Sequence, residues 1–245
     1  MFSLKNHPFA VETTFEKSVV LTFAIPKNEL ENLIPECLEV DVFDDKFGFI
    51  AVALVATKNL RPKGFPAFLG NDFNLVGYRV FVKYIDSRGK KLRGLYILKS
   101  ETNKAKMSFF GNIFTHYNYK TTDITFKTEN NLLKIKSEKS GFDIVLKSNE
   151  NASLPINSIF EDWKTARKFA GPLPFTFTYN NDKKEVLIIE GVRQNWIPKP
   201  IEVQSYKVDF FNDFNFSNLQ LSNAFIIENI PYYWKKGKIE QWKKV

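Results

Sequence analysis

Arg79 interrupts an apolar run, residues 73–82, that otherwise predicts a buried strand. An arginine on the inward face of such a strand needs a partner, because burying an unpaired charge is costly. Its planar guanidinium can bind a ligand carboxylate through two parallel hydrogen bonds. We therefore predict Arg79 as a ligand-binding residue; the alternative is that it faces solvent or pairs with Glu101 or Asp72. Arg93 allows the same two interpretations.

Two histidines and a single cysteine limit the chemistry further. His116 lies in a polar and aromatic run, residues 115–119, where a side chain with a near-neutral pKa could act as an acid or base. A hydrogen-bonded structural role is the alternative. His7 is far from His116 in the sequence, so the two do not form a metal site by themselves, and we predict neither a metal nor a cofactor. Cys37 can form no internal disulfide.

Other common reaction motifs are missing from the sequence. The glycines at 64, 70 and 77 have neither Walker nor dinucleotide-binding spacing, and no G-x-S-x-G elbow occurs. Trp196 could line the mouth of a pocket, or it could pack on the sheet as tryptophan usually does. We include Trp196 among the ligand-binding candidates.

The segments that carry these residues predict mostly short strands. Residues 47–56 are apolar almost throughout, which is typical of a strand covered on both faces. Two apolar runs, 73–85 and 92–99, flank a charged turn at 86–90 and predict a β-hairpin. Further strands are predicted at residues 17–25, 38–42, 107–119, 124–127, 132–137, 142–147, 175–179, 185–192, 202–211 and 219–227.

Helical patterns occur at two places. Residues 27–34 place apolar side chains on one helical face, and Pro35 ends that helix. Ser158 and Glu161 have the spacing of a capping box before a second helix, which residues 171–172 close. With few helices and no alternation of strand and helix, the pattern favours an antiparallel sheet in one domain, residues 1–245.

Four strings, in order along the chain, resemble a family of conserved proteins, domain of unknown function 2071, which is itself similar in fold to acetoacetate decarboxylase. They are His7-Pro8-Phe9 with LTFAIPKNELENLIPECLEVDVFDDKFGFIAVALV (21–55), DFNLVGYRVFVKY (72–84) with RGLYILKSETNKAKM (93–107), GNIFTHYNY (111–119), and the helix near Trp163 with NWIPKPIEV (195–203). The ordered set carries the resemblance. It implies a mainly β (α+β) fold in which a curled antiparallel sheet forms a cone or partial barrel around a cavity, with short flanking helices.

The resemblance also implies a catalytic residue. Acetoacetate decarboxylase uses a lysine that forms an imine with the ketone of a β-keto acid. Ser100 and Lys104 keep the S-x-x-x-K spacing that leads to that lysine, although Asn103 stands where the decarboxylase has proline, and paired lysines are missing. On a strand, Lys106 would share a face with Lys104 and lower its pKa, and Glu101 would supply an acid or a counter-ion. The alternative is that all three are surface residues.

Composition and charge exclude several classes of protein. Hydrophobic residues make up 44% of the 245 residues, enough for a sizeable core. The net charge is +8, but the lysines are spread along the chain except in the tail, so we predict no specific nucleic-acid partner. No segment has the ~20 apolar residues of a membrane span, and no signal-peptide core occurs, which indicates a cytoplasmic protein.

The sequence is compatible with three functions. The first is a binding protein that holds a small apolar or acidic metabolite in its cavity without transforming it. The second is a lyase of the decarboxylase type acting on a small oxo acid, with Lys104 as nucleophile and Arg79 or Arg93 holding the carboxylate. The third is an interaction module that uses the basic, aromatic tail, residues 232–245, to bind anionic surfaces or single strands. Whether the protein is an enzyme, and whether it forms a homo-oligomer, stays open.

Overall fold

A computed structural model describes residues 3–149, 151–171 and 173–243. In this part of the chain the strands are β1 (Val11–Pro26), β2 (Glu39–Val40), β3 (Phe47–Pro62), β4 (Asn71–Ile85), β5 (Lys91–Thr102), β6 (Lys120–Thr121), β7 (Thr125–Glu129), β8 (Leu132–Ser137), β9 (Phe142–Lys147), β10 (Phe175–Asn180), β11 (Glu185–Arg193), β12 (Lys199–Pro200), β13 (Glu202–Val208), β14 (Gln220–Trp234) and β15 (Lys238–Gln241). The helices are α1 (Lys27–Glu31), α2 (Ala105–Phe114) and α3 (Trp163–Phe169), and 3₁₀ turns cover Leu4–Asn6, Ala67–Leu69 and Asp209–Asp213. Pro172, Lys244 and Val245, which belong to predicted segments, lie outside the described residues.

The main sheet curls until two of its strands meet. Its order is β12-β14-β1-β3-β4-β5-β10-β11-β15, with β2 added to β4 and β6 to β5. Neighbours are antiparallel except where β5 runs parallel to β10 and β6. β11 also pairs with β14, with Gly191 opposite Trp234 and Arg193 opposite Tyr232. The predicted mainly β fold with a curled antiparallel sheet is therefore confirmed.

The two faces of the curled sheet have different neighbours. A smaller sheet of order β13-β9-β8-β7 supplies Ile135 and Ile144 to the largest apolar cluster. In β3 the alternate residues Ile50, Val52 and Leu54 belong to this cluster. The residues between them, among them Ala51 and Ala53, point to the opposite face because side chains alternate along a strand. Both faces of β3 are covered, and the second face is the one with small residues.

The predicted hairpin is confirmed, whereas both helix predictions need correction. β4 and β5 pair from Leu75 opposite Thr102 to Ile85 opposite Lys91. α1 is shorter than predicted and ends at Glu31. α3 begins only at Trp163, because the carboxylate of Asp162 accepts the hydrogen bond from the Thr165 backbone N–H at 2.6 Å. The predicted capping box is wrong, since the Ser158 hydroxyl donates to the Ser222 carbonyl.

The strand predicted at residues 107–119 is wrong, because Ala105–Phe114 forms helix α2. Lys104 is the residue that precedes the helix, and Lys106 lies in its first turn. Residues two apart on a helix do not face each other, so the two lysines do not share a face. The predicted strand neighbours Lys104 and Lys106 are both exposed instead.

Most of the basic tail belongs to the curled sheet. Tyr232 and Trp234 are part of β14, and β15 pairs with β11. Trp242 packs edge-on against Tyr179 with ring centroids 5.8 Å apart. Lys235 forms an ion pair with Glu190 at 2.9 Å. The tail is therefore structural up to residue 243.

In the described residues we find no helix with the length and hydropathy needed to span a membrane.

Candidate ligand-binding cavity

The inner face of the curled sheet encloses a mostly apolar cavity of about 220 Å³. This volume is far above the ~10–15 Å³ that a cavity needs to hold a single water molecule, so there is room for a small ligand. Ala51, Ala53 and Ser18 line the wall on adjacent strands, and their small side chains leave the space open. One face of α2 covers part of the cavity with Met107, Phe110, Gly111 and Phe114, which have the i, i+3, i+4, i+7 spacing of a helix.

Arg79 lies on the cavity wall, in the middle of β4. Its guanidinium lies across Gly77, where an added Cβ would come within 2.9 Å of Nε and 3.1 Å of Nη2. The Nε atom is buried and has no hydrogen-bond partner. A buried donor without a partner costs free energy, so Arg79 is ready to bind an acceptor that enters the cavity.

A second arginine, Arg193, reaches the same cavity from the end of β11. Its guanidinium lies 4.3 Å from the centre of the Trp196 ring and 5.8 Å from that of Tyr232, which holds it by cation–π contact. The Nη2 atom is buried without a partner. Burial lowers the pKa of Arg193, and the charge of Arg79 lowers it further, so the two cations act on each other.

Among the described residues, the cavity wall contains no aspartate or glutamate that could offset the charge of these two arginines, and it contains no lysine. Neither arginine forms an ion pair with any described carboxylate; the arginines that do so are Arg61 and Arg93. Nor do three His, Cys, Asp or Glu side chains converge anywhere in this part of the chain as metal ligands would. The wall therefore combines an apolar surface with two cations that lack a counter-ion.

Three tyrosines surround the arginines. Tyr117, Tyr119 and Tyr232 all line the cavity. Burial raises the pKa of each hydroxyl, to about 12 for Tyr119, although the charge of Arg79 opposes the shift. The hydroxyls therefore stay protonated at neutral pH. Protonated hydroxyls can donate hydrogen bonds to an anion, as the arginines can.

Helix α2 positions Tyr119. The side-chain amide of Asn112 donates to the Tyr119 carbonyl at 3.0 Å and accepts from the Tyr119 N–H at 2.6 Å. The Ser108 hydroxyl donates to the same carbonyl at 2.7 Å. The Tyr119 ring packs where a side chain at Gly111 would stand. These contacts tie the segment that follows α2 to the helix itself.

The N-terminal segment closes the cavity from another side. His7 is buried and lines the cavity, and its Nδ1 has no hydrogen-bond partner. Its backbone N–H donates to the Phe114 carbonyl at 3.1 Å, and its carbonyl accepts from Gly237 at 2.9 Å. Burial lowers the pKa of His7. The neutral ring thus adds one more polar atom to the cavity wall.

The other predicted site residues lie outside the cavity wall, apart from Trp196. Lys104 and Lys106 are exposed. Glu101 is buried and pairs with Lys99 at 3.1 Å. The neighbouring residue Ser100 lines the cavity, and because side chains alternate along a strand, Glu101 points away from the cavity.

Arg93 and His116 have partners within the protein. The Nε of Arg93 donates to Asp41 at 2.6 Å, and Nη2 donates to the Phe169 carbonyl at 2.8 Å. The Nε2 of His116 lies 3.1 Å from the Asn6 Oδ1, and burial lowers the pKa of this histidine. The contact of His116 agrees with its structural alternative, whereas Arg93 pairs with Asp41 rather than with Glu101 or Asp72.

Trp196 does line the cavity, and its indole Nε1 is buried without a partner. Sequence reasoning placed Arg79 and Trp196 among the candidates but missed Arg193 and Tyr232. The one local signal for Arg193 is an arginine at the end of an apolar strand, three residues before Trp196.

Comparisons with known proteins place this geometry in a family and a fold. The family model of domain of unknown function 2071 (DUF2071), described as an uncharacterized conserved protein, matches residues 12–233. No curated protein matches the sequence.

Solved structures are similar over nearly the whole chain. Acetoacetate decarboxylase from Legionella pneumophila subsp. pneumophila str. Philadelphia 1 has a TM-score of 0.65 at 11% identity, covering 95% of this chain and 88% of that chain. An acetoacetate decarboxylase-like enzyme from Sphingomonas wittichii RW1 has a TM-score of 0.57 at 11% identity, covering 99% and 96%. The enduracididine biosynthesis enzyme MppR, complexed with pyruvate, has a TM-score of 0.56 at 7% identity, covering 96% and 92%. The chain therefore belongs to the family of domain of unknown function 2071, and its fold is the acetoacetate-decarboxylase-like fold.

Proposed function

We propose that this protein binds a small, largely apolar acid in its cavity, with the acid group held between Arg79 and Arg193. The observation that carries the proposal is the pair of guanidinium groups with buried, unpartnered N–H donors in a wall that has no described carboxylate. The phenylalanine, alanine and leucine side chains of the same wall suit the apolar part of the ligand.

Electrostatics favours an anion over a neutral ligand. Two cations in an apolar cavity repel each other, and each leaves a donor unsatisfied. An anion between them removes both penalties, and hydrogen bonds to charged groups contribute about 1.5–3 kcal/mol each. Tyr119 and Tyr232, which also line the cavity, carry protonated hydroxyls that could donate further hydrogen bonds to the anion.

Binding without chemistry agrees with the geometry better than imine formation does. An imine needs a neutral lysine amine at the ligand, and the described cavity wall has none. Lys104 and Lys106 are exposed at the start of α2. Lyase activity through Lys104 remains the second candidate because structures named as decarboxylases share the fold. Borohydride reduction in the presence of acetoacetate or pyruvate tests it, since a mass adduct on Lys104 would support the lyase.

Calorimetric titration with butyrate, hexanoate, octanoate and benzoate tests the binding proposal, with hexanamide and hexanol as neutral controls. We expect saturable binding of at least one acid and weak or no binding of the neutral compounds. Arg79→Met or Arg193→Met should weaken binding of the acid about 10- to 100-fold, which is the loss of one or two charge-assisted hydrogen bonds. The same variants should unfold no more easily than the wild type without ligand, because an unsatisfied donor is removed.

Arg93→Met is the matched control. This arginine is paired with Asp41, whose side chain is 1% exposed, so the variant should lose stability while keeping its affinity for the acid. Equal affinity for hexanoate and hexanamide, or full hexanoate affinity in both cavity variants, would contradict the proposal.

A further inference from the structure

Five large apolar side chains are exposed on two segments beside the cavity. Phe65, Phe68 and Leu69 lie in the connection between β3 and β4, and Phe109 and Phe110 lie on α2. Phe68 is 84% exposed and Phe109 63%. We call these five residues the aromatic rim. Side chains of this size are normally buried, because removing apolar surface from water is favourable. Contiguous exposed apolar surface of this kind marks an interaction site.

Three observations place the two segments next to each other at the cavity. Leu60 and Met107, at the bases of the two segments, pack against the same apolar cluster around Phe15. Lys104, directly before α2, interacts electrostatically with Asp72, which lies at the start of β4 just after the connection. Phe110 belongs both to the rim and to the cavity wall. The rim therefore borders the cavity.

The surface around the rim is positively charged. Lys63, Lys104 and Lys106 form no ion pair with any described carboxylate, whereas Lys58 pairs with Asp72 and Arg61 with Glu12. Lys63 instead lies over the ring of Tyr233, 3.7 Å from its centre. Lysines without a carboxylate partner, next to exposed aromatic rings, are complementary to a surface that has an apolar interior and anionic groups at its boundary with water.

A membrane fits this surface better than a second copy of the chain. In a two-fold symmetric contact the same patch meets itself, so the unpaired lysines would face each other. The net charge of +8 adds to that repulsion. An anionic bilayer offers acyl chains for the phenylalanines, and its negative surface attracts each nearby lysine.

We propose that the aromatic rim docks this protein on anionic lipid membranes, with the rings of Phe68 and Phe109 entering the headgroup region. The side of the cavity that the rim borders then faces the bilayer, where apolar acids partition. This inference stands on the rim and its charges alone, so it does not depend on which acid the cavity binds.

Sedimentation with vesicles tests the proposal. We expect the wild type to bind vesicles of equal parts phosphatidylcholine and phosphatidylserine, and to bind phosphatidylcholine alone at least tenfold more weakly. The double variant Phe68→Ser/Phe109→Ser should lose at least tenfold in partitioning. Lys104→Gln/Lys106→Gln should lose binding chiefly to the anionic vesicles. Both variants alter exposed side chains outside the cavity wall, so hexanoate affinity and thermal unfolding should stay at wild-type values.

Ile156→Ser supplies the matched control, because this side chain is 99% exposed and lies in the loop before α3, away from the cavity wall. It should bind vesicles as the wild type does. The proposal is overturned if the wild type stays in the supernatant or if Ile156→Ser loses as much binding as the double variant. Light scattering that reveals a dimer, dissociated by Phe68→Ser/Phe109→Ser, would instead assign the rim to a second copy.

Discussion

At the scale of single residues, the position of Arg79 depends on a neighbour that has no side chain. The guanidinium lies back over Gly77, two residues earlier on the same face of β4. The flanking residues on the neighbouring strands, Ala53 and Ser100, are also small. The sequence showed that an arginine interrupts an apolar run, but the direction of its side chain depends on the space above Gly77, which only the assembled sheet determines.

Replacing this glycine should separate binding from stability. In Gly77→Ala the new Cβ would come within 3.1 Å of two guanidinium nitrogens, so Arg79 must move. Because the displaced group is the end of a flexible side chain, we expect unfolding in urea to change by less than about 1 kcal/mol. Affinity for the acid should fall at least tenfold, towards that of Arg79→Met. Wild-type affinity in Gly77→Ala would contradict this account.

Gly94→Ala is the contrasting variant. A Cβ at Gly94 would run into the backbone carbonyl of Phe175 on the paired strand β10, which cannot swing away. We expect about 1–3 kcal/mol of destabilisation by urea unfolding. If Gly77→Ala lost as much stability as Gly94→Ala, the expectation that the flexible Arg79 side chain can move out of the way would be wrong.

At the scale of elements, strands were easier to predict than helices. The turn at residues 86–90 predicted the β4–β5 hairpin because its cues are local. Helix α2 was mistaken for a strand because its phenylalanines have high strand propensity and Gly111 lowers helix propensity. The spacing of Met107, Phe110 and Phe114 was present in the sequence, but it identifies a helix only once a cavity exists for that face to cover.

The connection from α2 to the tyrosines should be measurable through Asn112. In Asn112→Ala, the Tyr119 N–H loses its partner at 2.6 Å, and this part-buried hydrogen bond contributes about 0.5–1.5 kcal/mol. Tyr119 then loses its fixed position, so affinity for the acid should also fall several-fold. Urea unfolding and calorimetric titration measure the two effects.

Lys120→Ala is the control for Asn112→Ala, because Lys120 is exposed and directly follows Tyr119. It should change neither stability nor affinity. An Asn112→Ala variant as stable as the wild type would show that the helix does not hold this segment.

At the scale of the whole molecule, the cavity arises from long-range pairing that no local pattern contains. Arg193 and Tyr232 are brought opposite each other where β11 meets β14. The apolar run of β3 predicted a strand covered on both faces, but the hollow face is recognisable only after the sheet has curled. Resemblance to a family predicted the cavity, whereas its lining residues other than Arg79 and Trp196 came from the structure.

Buried His7 and half-buried His116 should make the stability of the whole fold depend on pH. The chain has only two histidines, and burial lowers the pKa of both His7 and His116 below the ordinary value of 6.5. As pH falls through about 6.5, the unfolded chain takes up protons that the folded protein resists, so stability must decrease with falling pH. The slope cannot exceed about 1.4 kcal/mol per pH unit for each histidine.

Urea unfolding between about pH 7.5 and 5.5 measures this slope, because the unfolded histidines titrate near the centre of that window. His7→Asn should remove part of it, and asparagine tolerates the positive φ of 51° at this position. His7→Asn/His116→Gln should show a nearly flat profile, since no histidine remains. If the double variant kept the wild-type slope, other groups would be taking up the protons and the two rings would not be held neutral by burial.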